Sequence, residues 1–431
     1  MPRIHARSVV SLLLVLAFAG GAAGQEMPRA IPEEVGLSSA RLEQLGSVLE
    51  QYVEDGRLPG AVALVARRGR VVYLEAFGQR DREAAAVLHV DDIFRIASQS
   101  KAVISVAIMM LQEEGRLLIN DRLSRYLPEF AETTVAVAND EGGYDTVPSD
   151  RAIRLRDLLT HTSGIGYGGG PGEERWAEAE IQGWYFANRD EPIRQTVGRM
   201  AALPFEAQPG EKFVYGYSTD ILGAVVEVVS GVPLDEFLRT RVFEPLGMRD
   251  THFYLPADKQ DRLSVVYSAN DEGLVPAPDP GEMVGQGAYV QGPRASYSGG
   301  AGLLSTARDY ARFLQMTLNG GELGGARILS RKSIELMTVN HVGDLLATVG
   351  GPGTGFGLGF QVVEDLGQRG TPGSVGEYGW GGAYHSTYWV DPVEELVVVY
   401  FAQLIPANGL DDQAKLRALI YQAIIDDQGS N

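Results

Sequence analysis

A serine and a lysine stand three positions apart at the start of an apolar segment, RIASQSKAVISVAIMM, which spans residues 95–110. On a helix, side chains at positions i and i+3 share one face, so Ser98 and Lys101 can meet if the helix opens at Ser98. A serine hydroxyl becomes a good nucleophile when a base takes its proton, and burial favours the neutral amine that can act as that base. The helix N-terminus would add partial positive charge near the oxyanion formed on a carbonyl substrate.

The same spacing has a structural interpretation, in which a serine caps the helix and a lysine extends its charge to solvent. The segment from Ala102 to Leu111 is apolar on nearly every side, which is typical of a fully buried helix. Because a buried ammonium ion is costly unless it is paired or loses its proton, this context favours catalysis by Ser98 and Lys101.

A second proton-transfer group is expected elsewhere in the chain. The segment FVYGYSTDILGAVVEVVSG places Tyr215 and Tyr217 in a loop just before a predicted helix. A tyrosine close to a cationic lysine reaches its phenolate form more easily, so either residue is a candidate base or relay. Either could instead pack in a wall between two domains, as most tyrosines do.

A third segment, GEYGWGGAYHSTYWVDP, contains Trp380, Gly381 and Gly382 just before a predicted strand. Glycines at the margin of a strand often mark a place where a ligand approaches the backbone. Backbone N–H groups there would supply a second donor to an oxyanion. A glycine-rich turn beside a packed tryptophan remains an equally good interpretation of these residues alone.

Other patterns give weaker signals. His161 is expected to support its loop through hydrogen bonds, since a lysine already fills the role of base. For His385, packing at a strand edge and a place at the rim of a cleft remain equally open. The histidines lack the spacing of a zinc site. The segment GYSTD lacks the last glycine of a hydrolase nucleophile elbow. The glycines of residues 164–169 match a dinucleotide-binding fingerprint in form, but they follow a helix pattern where that fingerprint requires a strand. We therefore expect no metal and no cofactor.

Strand and helix patterns frame these three segments. Two strands about an Arg-Gly turn follow an amphipathic N-terminal helix, and further strands return near the C-terminus between helices. The region between is rich in Pro, Gly and aromatic residues, with short helices and no clear strand. This order predicts an α+β fold with an antiparallel sheet flanked by helices, built from both chain ends. The predicted domains are residues 25–115 with 299–431 for the sheet and residues 116–298 for an inserted, mainly helical domain, with a cleft between them.

Composition limits the compartment and the partners. Two arginines, a short apolar run and small residues before Gln25 predict that residues 1–24 are a cleavable secretory signal. No segment after that signal is expected to span a membrane. The chain has no cysteine and a formal net charge of −19, which would repel nucleic acid. The mature protein is therefore expected to be exported, in the periplasm or the medium, and the sequence does not indicate an oligomeric state.

The three segments, in this order, resemble the boxes of the serine β-lactamase and penicillin-binding-protein superfamily. The chain is most similar to the class C-like branch that includes the family VIII carboxylesterases, and the likeness extends over residues 31–425 through LRDLLTHTSGI, SGGAGLLSTARDYARFLQM and GWGG followed by WVDP. The resemblance implies a β-lactamase/transpeptidase-like fold. It also implies that Ser98 is the nucleophile, Lys101 the base and Tyr215 the tyrosine of the second box, with an oxyanion hole formed by the N–H groups of Ser98 and Ala383.

Two departures from the β-lactamase boxes bear on the substrate. Tyr217 stands where the family has an asparagine, and Trp380-Gly381-Gly382 stands where it has Lys-Thr-Gly. By their places in and after the boxes, these residues and His385 are expected to contact the substrate. Loss of the lysine removes the partner of an anionic substrate, so a neutral acyl ester is favoured.

The resemblance thus implies a serine hydrolase for short-chain carboxylic esters with weak or no β-lactam turnover. A β-lactamase or D-amino-acid peptidase on the same site remains an alternative. A sensor of peptidoglycan or antibiotics, which would acylate and deacylate poorly, is a third possibility of a different class.

Overall fold

The structure is a computed structural model that describes residues 26–271, 273–407 and 409–425. The predicted secretory signal, residues 1–24, lies outside these described residues. Within the described ranges, no helix is both long enough and apolar enough to cross a membrane.

A large antiparallel sheet forms the centre of the fold. The described residues form sixteen strands, which in chain order are β1 (Gly60–Arg67), β2 (Arg70–Asp81), β3 (Ala86–Val87), β4 (Phe94–Arg95), β5 (Thr134–Ala138), β6 (Tyr144–Pro148), β7 (Tyr267–Asn270), β8 (Gly273–Pro276), β9 (Leu304–Ser305), β10 (Glu322–Leu323), β11 (Ala326–Arg327), β12 (Thr354–Phe356), β13 (Gln361–Val363), β14 (Tyr378–Gly382), β15 (Ser386–Asp391) and β16 (Leu396–Ala402). Eight strands form the main sheet in the order β12-β13-β14-β15-β16-β1-β2-β3, with antiparallel neighbours throughout. Both chain ends contribute to this sheet, which confirms the predicted fold class.

Helices surround the sheet. In the described ranges they are α1 (Ser39–Glu54), α2 (Ser100–Glu113), α3 (Leu155–Leu159), α4 (Glu173–Glu178), α5 (Ile193–Met200), α6 (Ser218–Ser230), α7 (Leu234–Leu238), α8 (Glu244–Leu246), α9 (Ala307–Leu318), α10 (Arg331–Met337), α11 (Ala347–Gly350), α12 (Leu366–Arg369) and α13 (Asp412–Gln422). Short 3₁₀ turns lie at Pro32–Val35, Ala97–Gln99, Leu123–Arg125, Pro128–Ala131, Ala257–Arg262 and Gly343–Leu346, and Arg239–Phe243 is a π turn.

The two faces of the sheet are covered by different helices. Strands β1 and β16 are buried along their whole length, because helices pack on both sides of them. Helices α1 and α13 cover one face, where Leu45, Ile420 and Val398 belong to one buried hydrophobic cluster. Helix α9 packs on the opposite face, and α2 belongs to the same core. This second core explains the continuous apolar character of α2.

Elements with strong periodicity lie close to their predicted positions. Ser38 caps the N-terminal helix α1 by accepting a hydrogen bond from the N–H of Arg41. The predicted strand pair is β1 and β2, and the turn between them contains Gly69 with φ +72°. Among the strands expected near the C-terminus, residues 354–363 form two short strands, β12 and β13, which pair with each other.

The region between residues 116 and 298 contains two hairpins that sequence patterns did not predict. Strands β5 and β6 form one pair, and β7 and β8 form another. Most side chains of β6 and β8 are at least partly exposed, so these strands lack the alternation of apolar and polar residues that identifies a half-buried strand. A single hydrophobic core contains residues of this region, such as Val225, and of the sheet, such as Val62. The division into two domains at residues 116 and 298 stays a prediction.

Candidate active site

Ser98 lies on the 3₁₀ turn Ala97–Gln99, which runs directly into α2. The α-helix begins two residues later than predicted, at Ser100. The relation between Ser98 and Lys101 is nevertheless kept, because the turn continues into the helix. Ala97 has a φ of +43°, a strained conformation for a residue other than glycine. The backbone just before the serine is therefore held in an unfavourable state by its surroundings, as is common at functional sites.

Lys101 is almost completely buried, with 3% of its surface exposed. Its Nζ atom lies 2.7 Å from the carbonyl oxygen of Gly300, 3.0 Å from the hydroxyl of Tyr167 and 3.4 Å from Ser98 Oγ. An ammonium group could donate to all three acceptors. A neutral amine has two N–H groups, which match the two shorter contacts, and its lone pair then faces Ser98. The geometry thus suits proton transfer between serine and lysine.

Tyr167 is a site residue that sequence reasoning missed. It lies in the glycine-rich loop after α3, where Gly168 has a φ of +83°. Burial raises the pKa of Tyr167 well above 10, and Tyr215 and Asp220 raise it further. Its hydroxyl is therefore neutral, and it contacts Lys101 directly. In the sequence this loop carries only the formal dinucleotide fingerprint of residues 164–169, and no spacing rule links its tyrosine to Ser98.

Tyr215 meets Lys101 with its ring. The Nζ atom of the lysine lies 4.6 Å from the centroid of the Tyr215 ring, a cation–π distance. The Tyr215 hydroxyl instead accepts a hydrogen bond of 2.9 Å from the indole N–H of Trp380. His161 packs against the same ring at 4.7 Å between centroids. Burial, together with the charge on Lys101, holds the pKa of His161 well below 6.5, so this histidine is a neutral packing partner.

Strand β14 brings its last residues against the serine turn. A Cβ atom on Gly382 would lie 2.6 Å from the carbonyl oxygen of Ile96 and 2.4 Å from Ser386 Oγ, so only glycine fits there. Ala383 follows in the hairpin turn and lines the same cavity as Ser98. The backbone of Ala383 is thus brought to the side of the cavity where the serine stands.

The cavity at this site has a volume of about 680 Å³. Tyr167, Trp184, Tyr215 and Trp380 give it an aromatic wall beside Ser98. Trp184, which contacts Tyr384 edge to face at 5.6 Å, is a second lining residue that sequence reasoning missed. Its segment carries no motif that would have identified it.

Comparisons with known proteins agree with this geometry. The family model described as Beta-lactamase matches residues 45–422. The chain belongs to the β-lactamase family. It is 34% identical to Protein Rv1367c of Mycobacterium tuberculosis and 32% identical to Esterase EstB of Burkholderia gladioli, with 85% and 84% of this chain and 91% and 90% of those proteins covered. The solved structure of EstCE1, a hydrolase with promiscuous acyltransferase activity, matches with a TM-score of 0.79 at 30% identity, covering 89% of this chain and 98% of that one.

Membership of the β-lactamase family confirms the resemblance inferred from the motifs and makes the protein a serine hydrolase. Trp380, which the resemblance places at the position of the family's lysine, donates its indole N–H to the hydroxyl of Tyr215. By that resemblance, an aromatic donor lies where a β-lactamase has a cation.

Tyr217 does not lie where a substrate contact requires it. Its side chain is fully buried, and its hydroxyl donates to the carbonyl oxygen of Gly183 at 2.7 Å. The ring contacts Tyr167 edge to face, with 5.1 Å between centroids. Tyr217 is absent from the cavity lining, because the loop before α6 turns it toward Trp176. The structure therefore gives Tyr217 a place behind Tyr167, in correction of the predicted contact with substrate.

His385 lies in the cavity lining, and so do Gly381 and Gly382. The Nε2 atom of His385 is 2.8 Å from Asp412 Oδ1, and the hydroxyl of Tyr400 donates to the other oxygen of this buried carboxylate. Burial acts to raise the pKa of Asp412, but the hydrogen bond and charge of His385, together with hydrogen bonds from Tyr400 and the N–H of Gln413, hold that pKa below its ordinary value. His385 thus combines the two possibilities left open by the sequence, since it packs at the hairpin and also borders the cavity.

Two arginines reach the cavity that sequence patterns did not assign to it. Arg369 and Arg417 line the cavity, and both form ion pairs with Glu377 at 2.9 and 2.8 Å. Glu377 is only 2% exposed, and two guanidinium groups share its single negative charge, which leaves the cluster a net charge of +1. This positive charge is held at Glu377 and not at Trp380.

We expect Gly382→Ala to lower kcat/KM for p-nitrophenyl acetate by about 10²-fold, because the added Cβ forces β14 away from the serine turn and withdraws an oxyanion donor. Gly381→Ala is the matched control. A Cβ at Gly381 meets only Ser386 O, at 3.3 Å, so this variant should stay within about threefold of wild type if oxyanion geometry is the cause. Equal losses in two folded variants would contradict the assignment.

Proposed function

We propose that this serine hydrolase forms an acyl-enzyme on Ser98 and hydrolyses short-chain carboxylic esters. The observation that carries the proposal is the buried amine of Lys101, whose Nζ atom lies 3.4 Å from the Oγ atom of Ser98 in the lining of a cavity. Such an amine can receive the serine proton without leaving its hydrogen bonds to Gly300 and Tyr167.

In the acylation step, Ser98 Oγ bonds to the acyl carbon of the ester while its proton passes to Lys101 Nζ. The carbonyl oxygen becomes an oxyanion, which the N–H groups of Ser98 and Ala383 stabilise. The ester C–O bond then breaks, and the departing alkoxide takes a proton from Lys101 through the hydroxyl of Tyr215 or Tyr167. Water attacks the acyl-enzyme by the same sequence in reverse, which releases the acid and restores Ser98.

Two observations support a neutral ester as substrate. The wall beside Ser98 is aromatic and uncharged, and Trp380 stands in place of a lysine. A carboxylate such as that of a β-lactam would find no cation in this aromatic wall. The esterase name of EstB and the hydrolase name of EstCE1 agree with this preference. Weak or absent β-lactam turnover is therefore part of the proposal.

Export through the leader of residues 1–24 is also part of the proposal, and it rests on the sequence of those residues. We expect the mature chain to begin near Gln25 when the full gene is expressed in a bacterium. N-terminal sequencing of protein from the periplasm or medium tests this expectation, and an intact Met1 terminus in an exported fraction would contradict it.

The central test uses intact-protein mass and turnover together. We expect wild type to gain the mass of one acyl group on brief exposure to a p-nitrophenyl ester and then to turn the ester over repeatedly, with nitrocefin almost untouched. Ser98→Ala should abolish the adduct and lower kcat at least about 10³-fold. One equivalent of product followed by a stall would indicate a sensor instead, and efficient nitrocefin hydrolysis would indicate a β-lactamase.

The two tyrosines can be separated by substitution. Tyr215→Phe should lower kcat by about 10²-fold or more if its hydroxyl protonates the leaving group. Tyr167→Phe keeps the ring but removes a hydrogen-bond acceptor of Lys101, so its decrease in kcat should be smaller, about tenfold. Stopped-flow measurement of the acylation rate with esters of increasingly poor leaving groups checks the order, because only loss of the protonating residue should steepen the dependence on leaving group. The reverse order would assign proton transfer to Tyr167.

A further inference from the structure

A buried carboxylate, Asp220, lies close to the amine of Lys101 and has no part in the mechanism above. Asp220 is the third residue of α6 and is 1% exposed. Its Oδ1 atom accepts hydrogen bonds from Ser298 Oγ at 2.6 Å and from the N–H of Gly300 at 3.0 Å. Its Oδ2 atom is buried without a hydrogen-bond partner among the described residues. A carboxylate in this condition is costly and calls for a physical reason.

The turn that contains Gly300 contacts both Asp220 and Lys101. Gly300 donates its N–H to Asp220 and offers its carbonyl oxygen to Lys101 Nζ at 2.7 Å, the shortest of the three contacts to that atom. A Cβ atom on Gly300 would lie 2.4 Å from Asp220 Oδ2, and a Cβ on Gly299 would lie 2.6 Å from the carbonyl oxygen of Thr219. The two glycines thus fit tightly against the first turn of α6. Helix α6 begins at Ser218, three residues after Tyr215. The start of α6 is therefore close in sequence to this tyrosine and is hydrogen-bonded to Gly300, whose carbonyl oxygen accepts from Lys101.

The charges around Asp220 come from several elements. Lys101 on α2 is the cation that acts on it, while Tyr167 from the loop after α3 and Tyr217 from the loop before α6 lie within its influence. Burial raises the pKa of both tyrosines, so they remain neutral. Burial also raises the pKa of Asp220, against the opposing effects of Ser298, Lys101 and Gly300. Lys101 is the cation among these groups, and a single residue joins it to Asp220, because Gly300 donates its N–H to Asp220 and accepts from Lys101 at its carbonyl oxygen.

We propose that Asp220 is a positioning residue for Lys101, which fixes the Gly300 carbonyl under the amine and supplies the negative charge that sets when the amine loses its proton. This inference rests on the proposed function, because it requires Lys101 to act as the base of acylation. The carboxylate favours the ammonium form. Removal of its charge should let Lys101 become a base at lower pH.

The experiment measures the pH dependence of acylation alone, from the rate at which a p-nitrophenyl phosphonate modifies Ser98. Asp220→Asn keeps an acceptor for Ser298 and Gly300 but removes the charge. We expect the acid limb of its profile to move about one pH unit lower. Asp391→Asn is the matched control, since it removes the charge of another buried carboxylate that accepts backbone N–H groups away from Lys101, and its limb should stay at the wild-type position. Asp220→Ser, which is smaller and uncharged, should show the same shift as Asp220→Asn and replaces it if the amide impairs folding.

An unshifted limb in folded Asp220→Asn or Asp220→Ser would overturn the inference, and so would an equal shift in Asp391→Asn, which would point to a general effect of removing a buried charge. A wild-type protein that the phosphonate fails to modify at Ser98 would instead contradict the proposed function. The two failures are therefore distinguishable.

Discussion

The burial of one amine is the constraint on which the site depends. An ammonium ion loses several kcal/mol or more of hydration when it enters a protein interior, unless hydrogen bonds and opposite charge replace the water. Around Lys101 that replacement comes from three separate parts of the chain, namely the serine turn, the loop that carries Tyr167 and the turn at Gly300. These three parts are far apart in the sequence, and no local pattern in any of them brings it close to the others. The fold brings them together around α2, which the apolar core surrounds on every side.

Close backbone approach is the second requirement, and glycine meets it. The end of β14 reaches the serine turn because Gly382 has no side chain, and the turn at Gly299 and Gly300 reaches α6 for the same reason. The serine turn is itself tied to the core, since Tyr310 donates to the carbonyl oxygen of Gln99. Because the end of β14 and the serine turn are both fixed in this way, the strained conformation of Ala97 can persist. Rigid placement of an oxyanion donor near the nucleophile needs this kind of support.

Local patterns in the sequence were sufficient for some of these features. Ser98 and Lys101 are three residues apart, so a single helical turn determines whether they meet, and periodicity places that turn well. Strands β1 and β16 are apolar along nearly their whole length, and β2 begins with an apolar run after Arg70, so the sequence pattern predicted them equally well. The membership of the family followed from the order of three motifs.

Features that depend on tertiary contacts could not be read from the chain. Tyr167 is 66 residues from Lys101, and its loop has no periodicity that would indicate an approach. Tyr217 was expected at the substrate by its place in a motif, but the turn before α6 directs it into the core beside Trp176. The exposed hairpins of the middle region were not predicted for a related reason. Strands with few buried residues show little alternation of apolar and polar side chains.

The replacement of a lysine by Trp380 changes more than the charge of the cavity. A lysine at this position would hold an anionic substrate and would also place a second positive charge near Tyr215. The indole offers one neutral N–H, and the Tyr215 hydroxyl accepts it at 2.9 Å. A hydroxyl that accepts from one side keeps its own proton for another partner, and Tyr215 also lines the cavity. On the proposed mechanism, the tryptophan therefore leaves the Tyr215 proton available for the leaving group of an ester.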